Sequence, residues 1–284
     1  MNLIVDSGAT KSIWCVSDGT WHREITLPGI NFSQADPQQV GEVVYEAIRS
    51  IRQIQQQHDA PPIGHVYVYG AGIVSEASAL PLHLCLERML PGVEKDYASD
   101  LLGAARAVCG RNPGIAAIIG TGSNTCQWDG RKVVAHVDCG GFILGDEGGS
   151  AVLGKLFLAD FIKGLVPEEV AASFREQFSP ADYPSLVRKV YREEAPARYL
   201  GSFAPFLIDW YGQSEYVHTL MDRHFRSFFE RTVLRYRQDL PIGVIGGFGY
   251  ACRDILSAMA RQYGVSITQF YPTPLEGLIA YHAV

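Results

Sequence analysis

The sequence predicts an α/β protein made of two related domains, because one arrangement of short segments occurs twice. Apolar runs at residues 3–5 and 115–119 begin the two copies. After each run come a loop of small residues, a strand that contains Trp and Cys, an Asp-Gly turn and a third strand. Elsewhere, strands alternate with amphipathic helices, which is typical of α/β domains.

The two copies can be aligned at their loops and turns, with a difference of three residues in the spacing between them. Gly8 aligns with Gly122, and the turn Asp18-Gly19 aligns with Asp129-Gly130. The distance between them is far longer than a solenoid repeat, so each copy begins a domain of its own. We expect an N-terminal domain at 1–112, joined by a terminal helix at 275–284, and a C-terminal domain at 113–274.

Composition and charge exclude several classes of function. The 284 residues carry a net charge of −6 and no Lys/Arg-rich run, which argues against a nucleic-acid partner. No apolar stretch is long enough to span a bilayer, and the first residues lack the features of a signal peptide. We therefore expect a cytoplasmic protein without a membrane partner. The six scattered cysteines include no Cys-x-x-Cys pair, so a zinc site at Cys126, His136 and Cys139 is not favoured.

Small-residue loops follow several of the predicted strands. The loops at 6–11 and 120–124 are rich in Gly, Ser and Thr, and such loops can turn backbone N–H groups towards an anion. Two of them at the same end of related sheets could hold a polyphosphate. Residues 70–72 and 246–249 form two more junctions of this kind.

Two acidic sites lie next to predicted helix starts. Asp100 follows a strand and begins a helix, at the sheet edge where α/β proteins bind ligands. The alternative is that Asp100 is only an N-cap, a role that Ser99 could fill equally well. Asp146 and Glu147 lie between glycines ahead of a helix, where they could serve a site or simply match the helix dipole.

Together these junctions resemble the N-acetylglucosamine kinase branch of the sugar kinase–Hsp70–actin superfamily, a branch grouped with the BadF/BadG-type ATPases. The resemblance covers nearly the whole chain and implies two actin-like, ribonuclease H-like domains with an active-site cleft between them. The matching motifs are Asp6-x-Gly8-x-Thr10-Lys11, Gly29-x-Asn31, Ser99-Asp100, Gly120-Thr121-Gly122-Ser123-Asn124, Leu144-Gly145-Asp146-Glu147-Gly148 and Gly246-Gly247-Phe248.

The resemblance also implies roles for particular residues. Asp100 would be the catalytic base, and Asp6 would hold Mg²⁺ through water. The residues implied to bind ATP are Gly8, Thr10, Lys11, Gly120, Thr121, Gly122, Ser123, Gly246, Gly247 and Phe248. The residues implied to bind the sugar are Asn31, Gly72, Asn124, Asp146 and Glu147.

The function implied is an ATP- and Mg²⁺-dependent kinase that converts N-acetylglucosamine to its 6-phosphate, as a homodimer. Three alternatives stay open: an ATPase that activates a partner enzyme, a non-catalytic sensor of nucleotide or sugar, and a kinase for glucosamine, N-acetylmuramate or a hexose. The chain departs from the family at Ser7-Gly8-Ala9, where relatives commonly carry three glycines. An amphipathic helix is predicted at 214–236, with His218 and His224 on its surface.

Overall fold

The computed structural model describes residues 1–8, 11–30, 32 and 36–283, with the backbone alone for Glu76. The chain divides into two compact units. The first is Met1–Gly110 with Pro274–Val284, and the second is Arg111–Thr273. Each unit has its own five-stranded sheet.

The first unit is a mixed sheet with helices on both faces. The strand order is β3-β2-β1-β4-β5, with β1 antiparallel to β2 and parallel to β4, and β4 parallel to β5. Leu3 and Val5 of β1 pack with α1 and α2, while α3 and α13 pack together and contact β1. The elements are β1 (Asn2–Ser7), β2 (Lys11–Ser17), β3 (His22–Pro28), α1 (Pro37–Gln57), β4 (His65–Gly70), α2 (Glu76–Met89), β5 (Glu94–Ser99), α3 (Asp100–Cys109) and α13 (Leu275–His282).

Local sequence explains how the helices of the first unit begin. Asp36 caps α1 by accepting the N–H of Gln38, and Pro37 takes the first helical position. Helix α2 begins at Glu76, four residues before the apolar pattern that starts at Leu80. The reason is a capping box in which Ser75 and Ser78 bind each other's backbone N–H.

The second unit repeats this topology. Its order is β10-β9-β6-β7-β8, so the three-stranded meander and the two added parallel strands occupy the same places as in the first unit. The structure thereby confirms the internal repeat. The elements are β6 (Gly114–Ile119), β7 (Ser123–Trp128), β8 (Val133–Val137), α4 (Gly141–Leu144), α5 (Ser150–Phe161), α6 (Glu168–Gln177), α7 (Tyr183–Tyr191), α8 (Pro196–Gly201), α9 (Ala204–Trp210), α10 (Glu215–Arg231), β9 (Ile242–Ile245), α11 (Gly247–Ala251), α12 (Arg253–Gln262) and β10 (Ile267–Tyr271).

A helical region from α6 to α10 distinguishes the second unit from the first. Its core contains many aromatic side chains, among them Phe174, Phe203, Phe206 and Phe225. Helix α10 is shorter than predicted, because it ends at Arg231 and a 3₁₀ turn follows at Val233–Arg235. Among the described residues, no helix has both the length and the apolar character that a membrane crossing needs.

Candidate active site

Asp6 and Asp100, the acidic pair, lie at one edge of the first sheet. Asp6 is near the carboxyl end of β1, and Asp100 directly follows β5. Since β1, β4 and β5 run parallel, their carboxyl ends share that edge, with Asp6 in register with Tyr69 and Tyr69 with Ala98. Burial, followed by the negative charge of Asp100, raises the pKa of Asp6 to about 7, against the opposing effect of Lys11. The two carboxylates are therefore electrostatically coupled.

Asp100 is not the helix cap. Ser99 fills that position, with its hydroxyl accepting the N–H of Leu102 at 3.2 Å. Asp100 takes the first helical position, where its Oδ1 accepts the N–H of Leu101 at 2.8 Å. Burial raises the pKa of Asp100, while this hydrogen bond acts in the opposite direction. A partly buried carboxylate with a raised pKa is suited to accept a proton.

The acidic pair also fits a magnesium ion. Carboxylate oxygens are the ligands that Mg²⁺ prefers, and the ion usually keeps several waters. No cluster of three or more metal-binding side chains occurs among the residues that the structure describes. The mutual repulsion of the two carboxylates is what a divalent cation would relieve.

Ser7 explains the departure of the first loop from three glycines. Its buried hydroxyl accepts the N–H of Ile30 at 2.9 Å and lies 3.2 Å from the carbonyl oxygen of Ile30. The serine therefore ties the end of β1 to the backbone just before residue 31. Thr10 and Asn31, two predicted ligands, lie outside the described residues.

The other predicted residues of the first unit, Gly8, Lys11 and Gly72, lie in or next to turns at the same edge. Gly8 donates its N–H to the carbonyl of Lys11 at 3.0 Å, which closes the turn between β1 and β2. The Lys11 side chain is exposed. Gly72 has a left-handed φ of +85° in the turn after β4, a conformation that favours glycine.

In the second unit, the Gly120 loop (residues 120–124) is held through its backbone. The carbonyls of Gly120 and Thr121 accept the N–H groups of Ser150 and Ala151, both at 2.9 Å. A Cβ at Gly122 would lie 2.6 Å from a carboxylate oxygen of Asp146, so a side chain there would displace that carboxylate. The loop is thus fastened to the start of α5 and pressed against the acidic side chain.

The acidic turn (residues 146–149) is the second part of this arrangement. The backbone of Asp146 has a left-handed conformation, with φ 53°. Its N–H donates to the carbonyl of Cys139 at 2.7 Å. Burial raises the pKa of Asp146, while hydrogen bonds from the Ser123 N–H and the Cys139 thiol act in the opposite direction. Sequence reasoning missed Cys139 as a partner of Asp146, because only the folded turn brings the two side chains together.

Two predicted ligands in this region already have partners within the protein. The hydroxyl of Ser123 donates to the carbonyl of Glu147 at 2.7 Å. The Glu147 carboxylate lies 3.0 Å from the guanidinium of Arg231. Both residues therefore connect the Gly120 loop, the acidic turn and α10.

Asn124, at the end of the Gly120 loop, is oriented by its neighbours. Its Oδ1 accepts the N–H of Thr125 at 2.9 Å and lies 2.9 Å from Nε2 of His136. Because Oδ1 has these partners, the amide nitrogen is the group that can donate to a ligand. His136, considered above only as a metal ligand, instead positions Asn124.

The predicted ATP-binding motif Gly246-Gly247-Phe248 spans the junction of β9 and α11. Gly246 has φ +119°, and a Cβ there would lie 2.4 Å from the carbonyl oxygen of Ile119. Gly247 is exposed at the start of α11, while the Phe248 ring is buried and stacks on Phe225 with centroids 5.8 Å apart. Any ligand contact of Phe248 would therefore use its backbone.

The expectation that His224 lies on the surface is wrong. Its side chain is only 2% exposed, in the core of the second unit. Burial lowers the pKa of His224 to about 4, with an opposing effect of hydrogen bonds to the backbone of Gly148 and Gly149. A polar residue of an amphipathic helix is expected on the solvent-exposed face. Here the acidic turn provides polar backbone groups against which His224 is buried.

Comparison with solved structures identifies the fold and the family. A candidate N-acetylglucosamine kinase from Porphyromonas gingivalis superimposes with a TM-score of 0.92 and is 38% identical, over 100% of this chain and 99% of that one. A second candidate N-acetylglucosamine kinase, from Chromobacterium violaceum, has a TM-score of 0.76 and 20% identity, over 99% and 98%. A ROK hexokinase from Thermus thermophilus has a TM-score of 0.50 and 15% identity, over 99% and 96%, a likeness of fold alone. No protein-family model and no curated protein sequence matches the chain.

These findings define first a class of protein and then a family. The two repeated α/β units, each with its small-residue loop, have the fold of the actin-like, ribonuclease H-like superfamily. At 38% identity over the whole chain, the protein belongs to the N-acetylglucosamine kinase family, a family of ATP-dependent carbohydrate kinases.

Proposed function

We propose that the protein transfers the γ-phosphate of ATP to the 6-hydroxyl of N-acetylglucosamine. The observation that carries this proposal is the acidic pair, two coupled carboxylates with raised pKa values at the carboxyl edge of the first sheet. Family membership supplies the reaction class, and the candidate kinase from P. gingivalis supplies the sugar.

Asp100 is proposed as the general base. It accepts the proton of the 6-hydroxyl as that oxygen bonds to the γ-phosphorus, and the bond from phosphorus to the β,γ-bridging oxygen breaks to release ADP. The burial that raises the pKa of Asp100 makes it a better proton acceptor than an exposed aspartate.

Asp6 is proposed to hold Mg²⁺ through water. The bound ion would neutralise charge that develops on the phosphates. Asp6 must be ionised for this role, and a nearby cation lowers the pKa that burial and Asp100 raise to about 7.

The remaining roles divide between nucleotide and sugar. Backbone N–H groups near Gly8, Gly120–Gly122 and Gly246–Gly247 are proposed to bind ATP, because a glycine lets a ligand approach the backbone closely. The space beside Gly120 and Gly247 is open, since a Cβ at either position would meet nothing within 4 Å. Lys11, Thr10 and the Ser123 hydroxyl are assigned to phosphate by family resemblance. Asp146 and the amide nitrogen of Asn124 are proposed to bind the sugar, since both side chains have fixed orientations. Asn31, Gly72 and Glu147 complete that list by resemblance.

A panel of sugars tests the substrate. ATP and Mg²⁺ are supplied with N-acetylglucosamine, glucosamine, N-acetylmuramate or glucose, ADP release is measured, and the phosphorylated position is assigned by NMR. We expect N-acetylglucosamine to give the highest kcat/KM, with phosphate on O6. A higher value for another sugar would assign that sugar instead. ADP release that does not depend on any sugar would indicate an ATPase, and binding without turnover, measured by calorimetry, would indicate a sensor.

We also propose that the enzyme works in the cytoplasm as a homodimer. Both proposals come from family resemblance alone, because Phe225, Phe228 and Phe229 of α10 are buried in the core of the second unit. Analytical ultracentrifugation at micromolar concentration tests the second, and a sedimentation coefficient of a 31.2 kDa monomer would contradict it.

A further inference from the structure

One face of α10 contacts the acidic turn at three places. His224, Phe228 and Arg231 are spaced by four and three residues, so they lie on the same side of the helix. His224 interacts with the backbone of Gly148 and Gly149, Phe228 packs against Gly148, and Arg231 pairs with Glu147. We call these three residues the α10 face.

His224 contributes a buried imidazole ring to this contact, which interacts with the backbone of Gly148 and Gly149. The hydrogen bonds to Gly148 and Gly149 favour the protonated ring, so the imidazole is the donor. Nε2 is buried and has no hydrogen-bond partner, which leaves Nδ1 for the backbone. A buried nitrogen without a partner is unfavourable, and a leucine would fill the same space without that cost. Packing alone therefore does not explain a histidine here.

Phe228 and Arg231 restrain the same turn by other means. A Cβ at Gly148 would lie 2.8 Å from the Phe228 ring, and Gly148 also has a left-handed φ of +88°. The ion pair between Arg231 and Glu147 is 3.0 Å long, but the Arg231 side chain is mostly exposed, so its contribution is modest. The order of importance is thus expected to be His224 and Phe228 before Arg231.

The acidic turn transmits this restraint to the residues proposed to bind ligands. A Cβ at Gly149 would lie 2.8 Å from the backbone of Gly122, and the Ser123 hydroxyl is bound to the carbonyl of Glu147. Asp146 begins the turn, and its carboxylate faces Gly122 and the N–H of Ser123. Moving the turn by even a small amount would therefore move both Asp146 and the Gly120 loop.

We propose that His224 is a positioning residue, which holds the acidic turn so that Asp146 and the Gly120 loop keep the geometry for sugar and phosphate. The kinetic part of this proposal rests on the proposed function, whereas the restraint of the turn does not.

Two substitutions of His224 separate hydrogen bonding from packing. His224→Leu keeps an apolar side chain of similar size and removes the donor, while His224→Asn places an amide N–H near the position of Nδ1. Arg231→Met removes the ion pair, and Arg226→Met is the matched control, since Arg226 is exposed on the same helix and interacts with Tyr263.

Hydrogen–deuterium exchange of peptides that cover residues 145–151 is the first readout, since it needs no activity. We expect at least tenfold faster exchange in His224→Leu, a smaller change in Arg231→Met, and wild-type exchange in His224→Asn and Arg226→Met. Unchanged exchange in a folded His224→Leu would overturn the proposal. If His224→Leu does not fold, His224→Asn carries the test, and faster exchange in a folded His224→Asn than in the wild type would overturn the proposal.

Steady-state kinetics is the second readout. We expect His224→Leu to raise the KM for the sugar about tenfold with a smaller change in kcat, and His224→Asn to restore it. An equal rise in the KM for the sugar in His224→Leu and His224→Asn would contradict the role of the hydrogen bond. If the wild type phosphorylates no sugar, the proposed function fails, and the exchange result still decides whether His224 restrains the turn.

Discussion

The two units carry the same topology but prepare their candidate site residues differently. In the first unit, the acidic pair consists of side chains whose pKa values are raised by burial. In the second unit, the backbone of the Gly120 loop is fixed by hydrogen bonds from the first residues of α5. Close contacts at Gly122 and Gly149 leave little room for a Cβ. The first unit therefore contributes mainly the charge of two carboxylates. The second unit, apart from Asp146, contributes mainly the shape of a fixed backbone. Substitutions in the two units should therefore fail in different ways.

The largest effect is expected for Asp100→Asn. The amide keeps the size of the side chain but cannot accept the proton, so kcat should fall by about 10²- to 10⁴-fold. Calorimetry should show nearly unchanged binding of ATP and sugar. A variant with near-normal kcat would remove Asp100 from the mechanism.

Next is Gly122→Ala, which tests shape in the second unit. The added Cβ would lie 2.6 Å from the Asp146 carboxylate, so the carboxylate, the turn or the loop must shift. We expect a loss of about 1–3 kcal/mol in the free energy of unfolding and a raised KM for the sugar. Gly212→Ala is the control, since a Cβ there meets nothing within 4 Å and should change stability by less than about 0.5 kcal/mol. Equal stability of the two variants, measured by urea unfolding, would contradict the steric argument.

Asp6→Asn tests charge in the first unit through pH. Folding raises the pKa of Asp6 from 3.8 to about 7, so between these values the folded state holds a proton that the unfolded state has lost. Stability from this group therefore falls as pH rises through that window. In metal-free buffer the wild type should lose more Tm between pH 5 and pH 7.5 than Asp6→Asn, by a difference on the order of 5 °C.

Magnesium provides the control for that experiment. Because Mg²⁺ binds the ionised carboxylate, adding it at pH 7.5 should raise the Tm of the wild type more than that of Asp6→Asn. Parallel pH curves for the two proteins would show that Asp6 does not titrate in this window.

The smallest effect is expected for His136→Leu. The substitution removes one of the two groups that orient the Asn124 amide, and the N–H of Thr125 remains. The loss of one hydrogen bond corresponds to a rise of about two- to tenfold in the KM for the sugar. An unchanged KM for the sugar together with a changed KM for ATP would place Asn124 at the nucleotide.

Much of the fold could be predicted from sequence because the signals are local. Apolar strands that end in small residues predicted both meanders, and Asp36-Pro37 marked the start of α1. The apolar pattern alone would start α2 at Leu80, four residues late, because the cap at Ser75 gives a weaker signal than that pattern. The burial of His224 was also missed, because it depends on a turn more than seventy residues earlier in the chain.

The sequence alone determined the repeat, the places of the small-residue loops and the family, because periodicity, turn residues and short motifs are written along the chain. Tertiary structure alone decided which groups meet. In the folded chain the charge of Asp100 raises the pKa of Asp6, and Ser99 caps α3. Ser7 forms a hydrogen bond with Ile30, and α10 contacts the acidic turn. The physical reason is that pKa values, steric limits on glycine and hydrogen-bond partners depend on distances between residues far apart in sequence, which only the folded chain fixes.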